Sequence, residues 1–346
     1  MTAPERMRLL RVCIQTLAAA LFIAALWDFY QYFNWASYNG PGEGPPFYPR
    51  PALLEAFLPA SALAAAKNFF SGYGFDSVHP AGLTVFFAAV LISLTARKSF
   101  CGYLCPAGLL CELLSRLGAS ADKKLGSPLG LPRRPGKLIS LLISCPKYIL
   151  LAGILWVIFA RLSPEDLRAF LDSPYNKTLD SRIWLFFTQP SQEALIGLGV
   201  IFAGSILTPG FWCRGFCPYG ALLGLFSFLS PLAVRRDKTN CTYCRRCTRA
   251  CPARIAVHEA ARVSSPECRG CLECVAACPV EGCLKVQAGY RSEKKRLRRA
   301  PVWLIPLLCV AAMGAAYFLA LYSGHWHSQM TPLELKTLHR DIFMPN

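Results

Sequence analysis

The chain has 346 residues, of which 54% are hydrophobic and only 16% charged. Soluble domains carry about 25% charged residues, so the composition excludes a chain solvated by water throughout and points to lipid around much of it. The formal net charge of +17 would suit nucleic acid, but no recognition motif accompanies it, and its distribution has another cause.

A helix needs about 20 mostly apolar residues to cross a bilayer core. Five stretches qualify, at residues 12–33, 80–96, 138–160, 194–207 with its flanks, and 302–322. The first follows Arg6, Arg8 and Arg11, as a signal peptide would. Its apolar run is too long for a signal peptide and no convincing cleavage site is present, so it is expected to remain as a span. Gly197, Gly199 and Gly204 interrupt the fourth, and Pro209 closes it.

Lys and Arg alternate with these spans as the positive-inside rule requires. The N-terminus carries three, residues 36–78 two (Arg50 and Lys67), and residues 97–137 eight. Residues 161–193 carry four against five acids, residues 213–300 seventeen, and the tail after Tyr322 two. The N-terminus, the 97–137 connection and the cysteine-rich segment are therefore expected in the cytoplasm. The other connections and the tail are expected outside. The run RSEKKRLRR at 291–299 reads as a topology signal that also attracts anionic lipid headgroups, and nucleic acid is not expected as a partner.

Residues 241–252 read CTYCRRCTRACP and residues 268–279 read CRGCLECVAACP. Each is Cys-x2-Cys-x2-Cys-x3-Cys-Pro, the spacing of two-cluster bacterial ferredoxins, in which the fourth cysteine of each run ligates the other cluster. One [4Fe–4S] cluster is thus assigned to Cys241, Cys244, Cys247 and Cys278, and a second to Cys268, Cys271, Cys274 and Cys251. Paired structural zinc sites also use Cys-x2-Cys, but two complete runs ending in Cys-Pro argue against them. Arg245, Arg246, Arg249, Arg254 and Arg269 lie in or near these loops. They read either as charge favouring the reduced cluster or as a solvated basic face for an acidic partner or lipid headgroups.

Residues 98–110, KSFCGYLCPAGLL, and 210–223, GFWCRGFCPYGALL, form an internal repeat. Each holds aromatic-Cys-x3-Cys-Pro-x-Gly after a span that enters the cytoplasm, which suggests parallel repeats about an axis along the membrane normal. If they pack together, Cys101, Cys105, Cys213 and Cys217 converge. Four thiols there suit a third Fe–S centre, a bound metal ion or two redox disulfides; the plain alternative is a motif that only shapes a turn.

The aromatic run WDFYQYFNW at 27–35 reads as an interfacial belt, or as a quinone-site wall with Asp28 as proton acceptor. His325 and His327 read as interfacial polar residues or as metal or haem ligands, with His79 on the same surface. Cys13, Cys111, Cys145, Cys283 and Cys309 are expected to pack as small apolar residues. Residues 42–51 and 126–135 read as loops, and 331–346 as a short amphipathic helix against a partner or the outer surface.

Spans, two Cys-x3-Cys-Pro motifs and a C-terminal two-cluster ferredoxin together resemble the NapH, NosR and CcoG group of membrane ferredoxins over roughly residues 1–300. The chain lacks the room NosR has for an N-terminal flavin domain and the outer β-domain of CcoG, so NapH- or MauN-like members are nearer. The resemblance implies a multi-pass protein of the bacterial inner membrane with a periplasmic C-terminus. It implies electron transfer between the quinone pool or a membrane partner and another redox protein, often periplasmic. The alternative is a copper reductase or assembly factor for a respiratory metalloenzyme. The expected fold is an α-helical membrane bundle (1–236), an inserted cytoplasmic α+β ferredoxin domain (237–290), and a basic linker, fifth span and outer tail (291–346). The chain reads as an electron-transfer subunit; no acid–base or nucleophile constellation is present.

Overall fold

The computed structural model describes residues 3–38, 44–125, 137–289 and 299–343. The expected loop at 126–135, the start of that at 42–51 and all of the basic run except Arg299 lie outside the described residues. In chain order the helices are α1 (Ala3–Ser37), α2 (Pro59–Asn68), α3 (Pro80–Ala96), α4 (Ser99–Tyr103), α5 (Pro106–Leu125) and α6 (Lys137–Trp156). There follow α7 (Pro164–Leu171), α8 (Pro174–Lys177), α9 (Leu179–Thr188), α10 (Gln192–Leu207) and α11 (Pro218–Phe226). Strand β1 (Leu232–Arg236) leads into α12 (Arg246–Ala250), α13 (Glu273–Ala276), β2 (Leu284–Ala288) and β3 (Arg299–Ala300). Helices α14 (Leu304–Tyr322) and α15 (Pro332–Phe343) close the chain.

Among the described residues, three helical segments are long and apolar enough to cross a membrane: Arg6–Ser37, Leu142–Arg161 and Leu304–Tyr322. Their large apolar side chains, such as Leu17, Leu21 and Ile23 of α1 and Phe318 and Leu319 of α14, are exposed, which water penalises and lipid does not. A fourth span is available only if α9 and α10, bent 78° from each other, act as one. Pro190 explains the bend, because the residue before a proline is driven out of helical conformation. The expected second span, α3, has 17 residues, about one turn short of a full crossing. The sequence reading of five spans therefore becomes three helices and a bent pair, with α3 a shorter apolar helix. The apolar α9 also lies in what reads by charge as a polar connection.

The chain divides into two compact units: residues 1–19, 89–151 and 196–312, and residues 20–88, 152–195 and 313–346. In the first, β1 and β2 pair antiparallel, Leu232 opposite Ala288 and Arg236 opposite Leu284, and β3 adds along β2. Both ferredoxin-type cysteine runs hang between β1 and β2. The sheet starts at Leu232, ahead of the expected boundary at 237.

In the second unit, Phe29, Tyr32, Trp35 and Ala36 of α1 form a buried cluster with Leu335 of α15. Trp27 and Tyr30 remain exposed. The aromatic run thus has one packed face and one outward face, and the tail helix α15 covers the packed one. Asp28 accepts a hydrogen bond from Tyr48 Oη at 2.6 Å. Arg50 and Lys67, the two cations of the expected outer connection, are both engaged. Lys67 Nζ donates to the carbonyls of Ile158 and Leu162 at 2.8 and 2.7 Å, where unpaired carbonyls at a helix end attract a cation. Arg50 Nε donates to Asp180 at 2.7 Å, both residues buried. Arg50 Nη2 lies 3.1 Å from His79 Nδ1. His79 Nε2 lies 2.7 Å from the Asn176 carbonyl, so Nε2 donates and Nδ1 accepts. Buried His339 lies 3.0 Å from Ser181 Oγ and 3.4 Å from Tyr32 Oη.

Breaking a buried ion pair from one side leaves an uncompensated charge that costs about 3–5 kcal/mol. Asp180→Ala is expected to lower thermal stability in detergent by that order, read as a large fall in Tm. Burial lowers the pKa of His339 from 6.5 to about 4. The unfolded chain therefore binds more protons across that window, so stability falls as pH drops from about 6.5 towards 4. His339→Gln is expected to flatten this acid limb in a pH series of unfolding midpoints.

Candidate iron–sulfur sites

The two ferredoxin-type loops repeat in backbone as well as in spacing. Tyr243 and Gly270, third in their respective runs, have φ of 52° and 61°. Arg245 and Leu272, fifth in those runs, have φ of 61° and 60°. Left-handed conformations at non-glycine residues are uncommon and cluster at functional sites. Here they curl each loop, and the N–H groups of Tyr243 and Arg246 hydrogen-bond the sulfurs of Cys241 and Cys244. Short helices α12 and α13 then start at matching positions.

Each loop encloses a cavity. The first, about 330 Å³ with its mouth included, is lined by Cys241, Cys244, Cys247 and Cys278. The second, about 370 Å³, is lined by Cys251, Cys268, Cys271 and Cys274. The fourth cysteine of each run stands in the cavity of the other, the crossing that the spacing predicts. A cubane needs four thiolates around a volume, with hydrogen bonds to sulfur and apolar walls. Val234, Ile255 and Leu272 supply such walls to the second cavity, so the residues present fit the group. Among the described residues no group of three or more His, Cys, Asp or Glu side chains is arranged to hold a single metal ion. The same holds for His325 and His327, where His325 Nδ1 lies 2.9 Å from Ser323 Oγ.

Cys101, Cys105, Cys213 and Cys217 lie near enough to one another to act electrostatically on others of the set. The two motifs share one local structure. Cys105 N–H donates to the Phe100 carbonyl at 3.0 Å, and Cys217 N–H to Trp212 at 2.9 Å. A proline then starts a helix in each, α5 at Pro106 and α11 at Pro218, where its missing N–H costs nothing. Burial pushes the Cys101 thiol up to about 12. Cys213 is held below its usual range by a hydrogen bond with Cys111 and by Arg269, Lys98 and Lys147.

Around these thiols lies a buried ionic frame that has no motif in the sequence. Glu267 pairs with Lys147 and, at 3.4 Å, with Lys98. Burial works against its charge, but the two lysines hold its carboxyl below the usual range. Lys147 belongs to the candidate span Leu142–Arg161 and is fully buried. Arg11, expected in an N-terminal flank, is a buried residue of α1. It pairs with Glu112 and, at 2.9 Å, with Glu273. Arg97 donates to the carbonyls of Ser227 and Ser265 at 2.8 and 2.6 Å.

The five arginines of the cysteine loops divide. Arg245, Arg246 and Arg249 are exposed, Arg254 is half-buried and Arg269 is buried. Two of the cysteines expected to pack also gain a setting. Cys111 is buried beside Cys213, and Cys283 lines the first cavity. The Cys283 thiol donates to the Asp237 carbonyl at 3.7 Å, and burial raises it to about 12, which keeps it protonated.

The motif glycines are not equivalent. A Cβ on Gly108 would overlap the Cys101 carbonyl, whereas one on Gly220 would have its nearest neighbours at 3.5 Å. Gly108→Ala is expected to cost about 1–3 kcal/mol by overpacking, read as a lower unfolding midpoint. Gly220→Ala is expected to leave that midpoint within error of wild type.

A 4Fe-4S binding domain family matches residues 78–126 and 191–236, one match per Cys-x3-Cys-Pro repeat. A 4Fe-4S dicluster domain family matches residues 233–279. The chain is 34% identical over 305 residues to the "Putative electron transport protein YccM" of Escherichia coli K12, covering 88% of this chain and 83% of the relative. It is 30% identical over 213 residues to the uncharacterized protein MJ0749 of Methanocaldococcus jannaschii, covering 62% of this chain and 73% of that one. No solved structure matches it significantly.

Proposed function

The chain belongs to the family of 4Fe–4S electron-transport proteins that includes YccM, and from that premise we propose that it is a membrane-bound carrier with two ferredoxin-type clusters and a third centre. Cys241, Cys244, Cys247 and Cys278 hold one cluster; Cys268, Cys271, Cys274 and Cys251 hold the other. The observation that carries this is the lining of each cavity by three cysteines of one run and the fourth of the other. Each cluster, when bound, supplies a reversible one-electron centre.

The chain's own residues supply ligands, N–H groups directed at sulfur and, at the second cavity, apolar walls that exclude water. Cys101, Cys105, Cys213 and Cys217 are assigned to the third centre. The 4Fe-4S binding domain matches over both repeats support this, as does the electrostatic contact among the four thiols. Electrons pass between the quinone pool or a membrane partner and another redox protein. The lysine and arginine distribution supports a cytoplasmic ferredoxin segment in an inner-membrane protein. The pairing of Arg11 with Glu112 and Glu273 supports one membrane side for the start of α1, the first motif and the cysteine loops.

Chemical iron analysis of anaerobically purified protein tests the reading. Wild type is expected to hold about twelve iron atoms per chain, four per cubane, and Cys213→Ala about eight. An iron content of eight in both proteins would remove the third centre. The absence of any reducible low-potential electron paramagnetic resonance signal would overturn the carrier function itself.

A further inference from the structure

The two ferredoxin cavities have the same ligand spacing but different surroundings. Around the first, residues 242–246 are exposed, Cys244 among them. The loop of the second packs on both Cys-x3-Cys-Pro segments. Lys98 N–H donates to the Cys268 carbonyl at 3.3 Å, and Tyr103 Oη to the Gly270 carbonyl at 3.5 Å. Gly102 approaches the Arg269 carbonyl so closely that a Cβ would lie 2.7 Å from it. Gly270, at φ 61°, faces the Ala96 carbonyl, 3.0 Å from where a Cβ would stand.

Two charges of this loop, partly buried Glu267 and buried Arg269, lie at the junction. Glu267 is shared by Lys98 and Lys147, and Lys98 Nζ also donates to the Gly220 carbonyl of the second motif at 3.3 Å. Arg269, 5% exposed, lines the second cavity, while its Nη2 reaches Gly210 at the head of the second motif, 3.4 Å from a Cβ placed there. Its charge acts on Cys213 and Cys101 of the four-cysteine set, then on Glu112, then on Cys271 of the second cavity.

We propose that partly buried Glu267 and buried Arg269 together form an electrostatic bridge between the second ferredoxin cluster and the four-cysteine centre, making these two neighbours in the electron path and leaving the first cluster as its exposed end. This rests on the cluster assignments above. The step across the bridge is a one-electron exchange in which one centre is oxidised as the other is reduced, and no bond forms or breaks. Arg269 and Glu267 act as positioning residues. Arg269 stabilises the more negative, reduced state of either centre, and Glu267 opposes it, because charge and exposure tune such potentials.

The test uses full-length protein in detergent, with Arg269→Gln and Glu267→Gln variants, iron analysis and potentiometric titration followed by electron paramagnetic resonance. The first cluster's signal is identified by its stronger relaxation enhancement with a soluble dysprosium complex, since Cys244 is exposed. Iron content is expected to stay at the wild-type value in both variants. Arg269→Gln is expected to shift the second cluster to lower potential and Glu267→Gln to higher potential, with the first cluster unmoved by either. If Arg269→Gln does not assemble, the sign and selectivity of the Glu267→Gln shift decide. Equal shifts of both ferredoxin clusters, or none, would overturn the bridge. An iron content of eight in wild type would remove the third centre and with it one end of the bridge, which distinguishes that failure from equal or absent shifts in a protein holding about twelve iron atoms.

Discussion

Gathering thiols in a low-dielectric interior sets the constraint on which the first unit depends. Negative charge on those sulfurs is costly away from water unless cations share the burial. Lys98, Lys147 and Arg269 meet that need at the four-cysteine set, and Arg11 acts on Cys271 of the second ferredoxin-type set. Unbalanced cations would themselves be expensive, and Glu267 answers Lys98 and Lys147 while Glu112 and Glu273 answer Arg11. The frame draws its members from α1, α5, α6 and the cysteine loops. Formation of the site and packing of the unit are consequently one event, and a lysine can stand in a candidate membrane span because its partner waits in the loop that packs there.

That frame also shows what sequence could and could not convey. The eight ferredoxin-type cysteines and their crossing were legible because short-range spacing dictates how a loop curls. The Cys-x3-Cys-Pro repeat was legible for the same reason, and its two copies share a backbone turn. Lys147, Glu267 and Arg269 carry no such signature. Each is a single charge whose meaning comes from residues distant in the chain: Glu267 meets Lys147 across 120 positions and Lys98 across 169. Counting lysines and arginines by segment treats every cation as solvated. Arg11 and Arg50 are buried instead, and Lys67 is spent on helix-end carbonyls. The second stretch, 80–96, coincides with α3 at 17 residues, whereas the bend that Pro190 puts between α9 and α10 was not legible, since hydropathy reports composition and not continuity.

The second unit solves the same problem of buried charge without thiols. Arg50 answers Asp180 and His79 at once, and His79 is fixed in one tautomer by the Asn176 carbonyl. Asn176 in turn accepts from Ser61 and donates to the Leu171 carbonyl. Such a network ties α2, α8 and α9 to the chain before α2, where short helices have little apolar surface of their own. His79, which invites a metal or haem reading in isolation, is here engaged by hydrogen bonds. The pair at 325 and 327, which drew attention by its spacing, has less structure around it than His79 and His339, which had no motif.

Identical ligand spacing does not make the two ferredoxin-type sites equivalent. Arg245 and Leu272 hold the same left-handed conformation at the same place in their loops. One is exposed beside exposed Cys244; the other is buried in the wall of the second cavity. Both strains are tolerated because the loop geometry demands them, while the side chains are free to differ. The repeat has thus kept what the sulfurs require and changed what surrounds them. Exposure, hydrogen bonding and local charge tune iron–sulfur potentials, so a pair of sites made alike by spacing is made unequal by environment. In a carrier, that inequality is what gives an electron path its order.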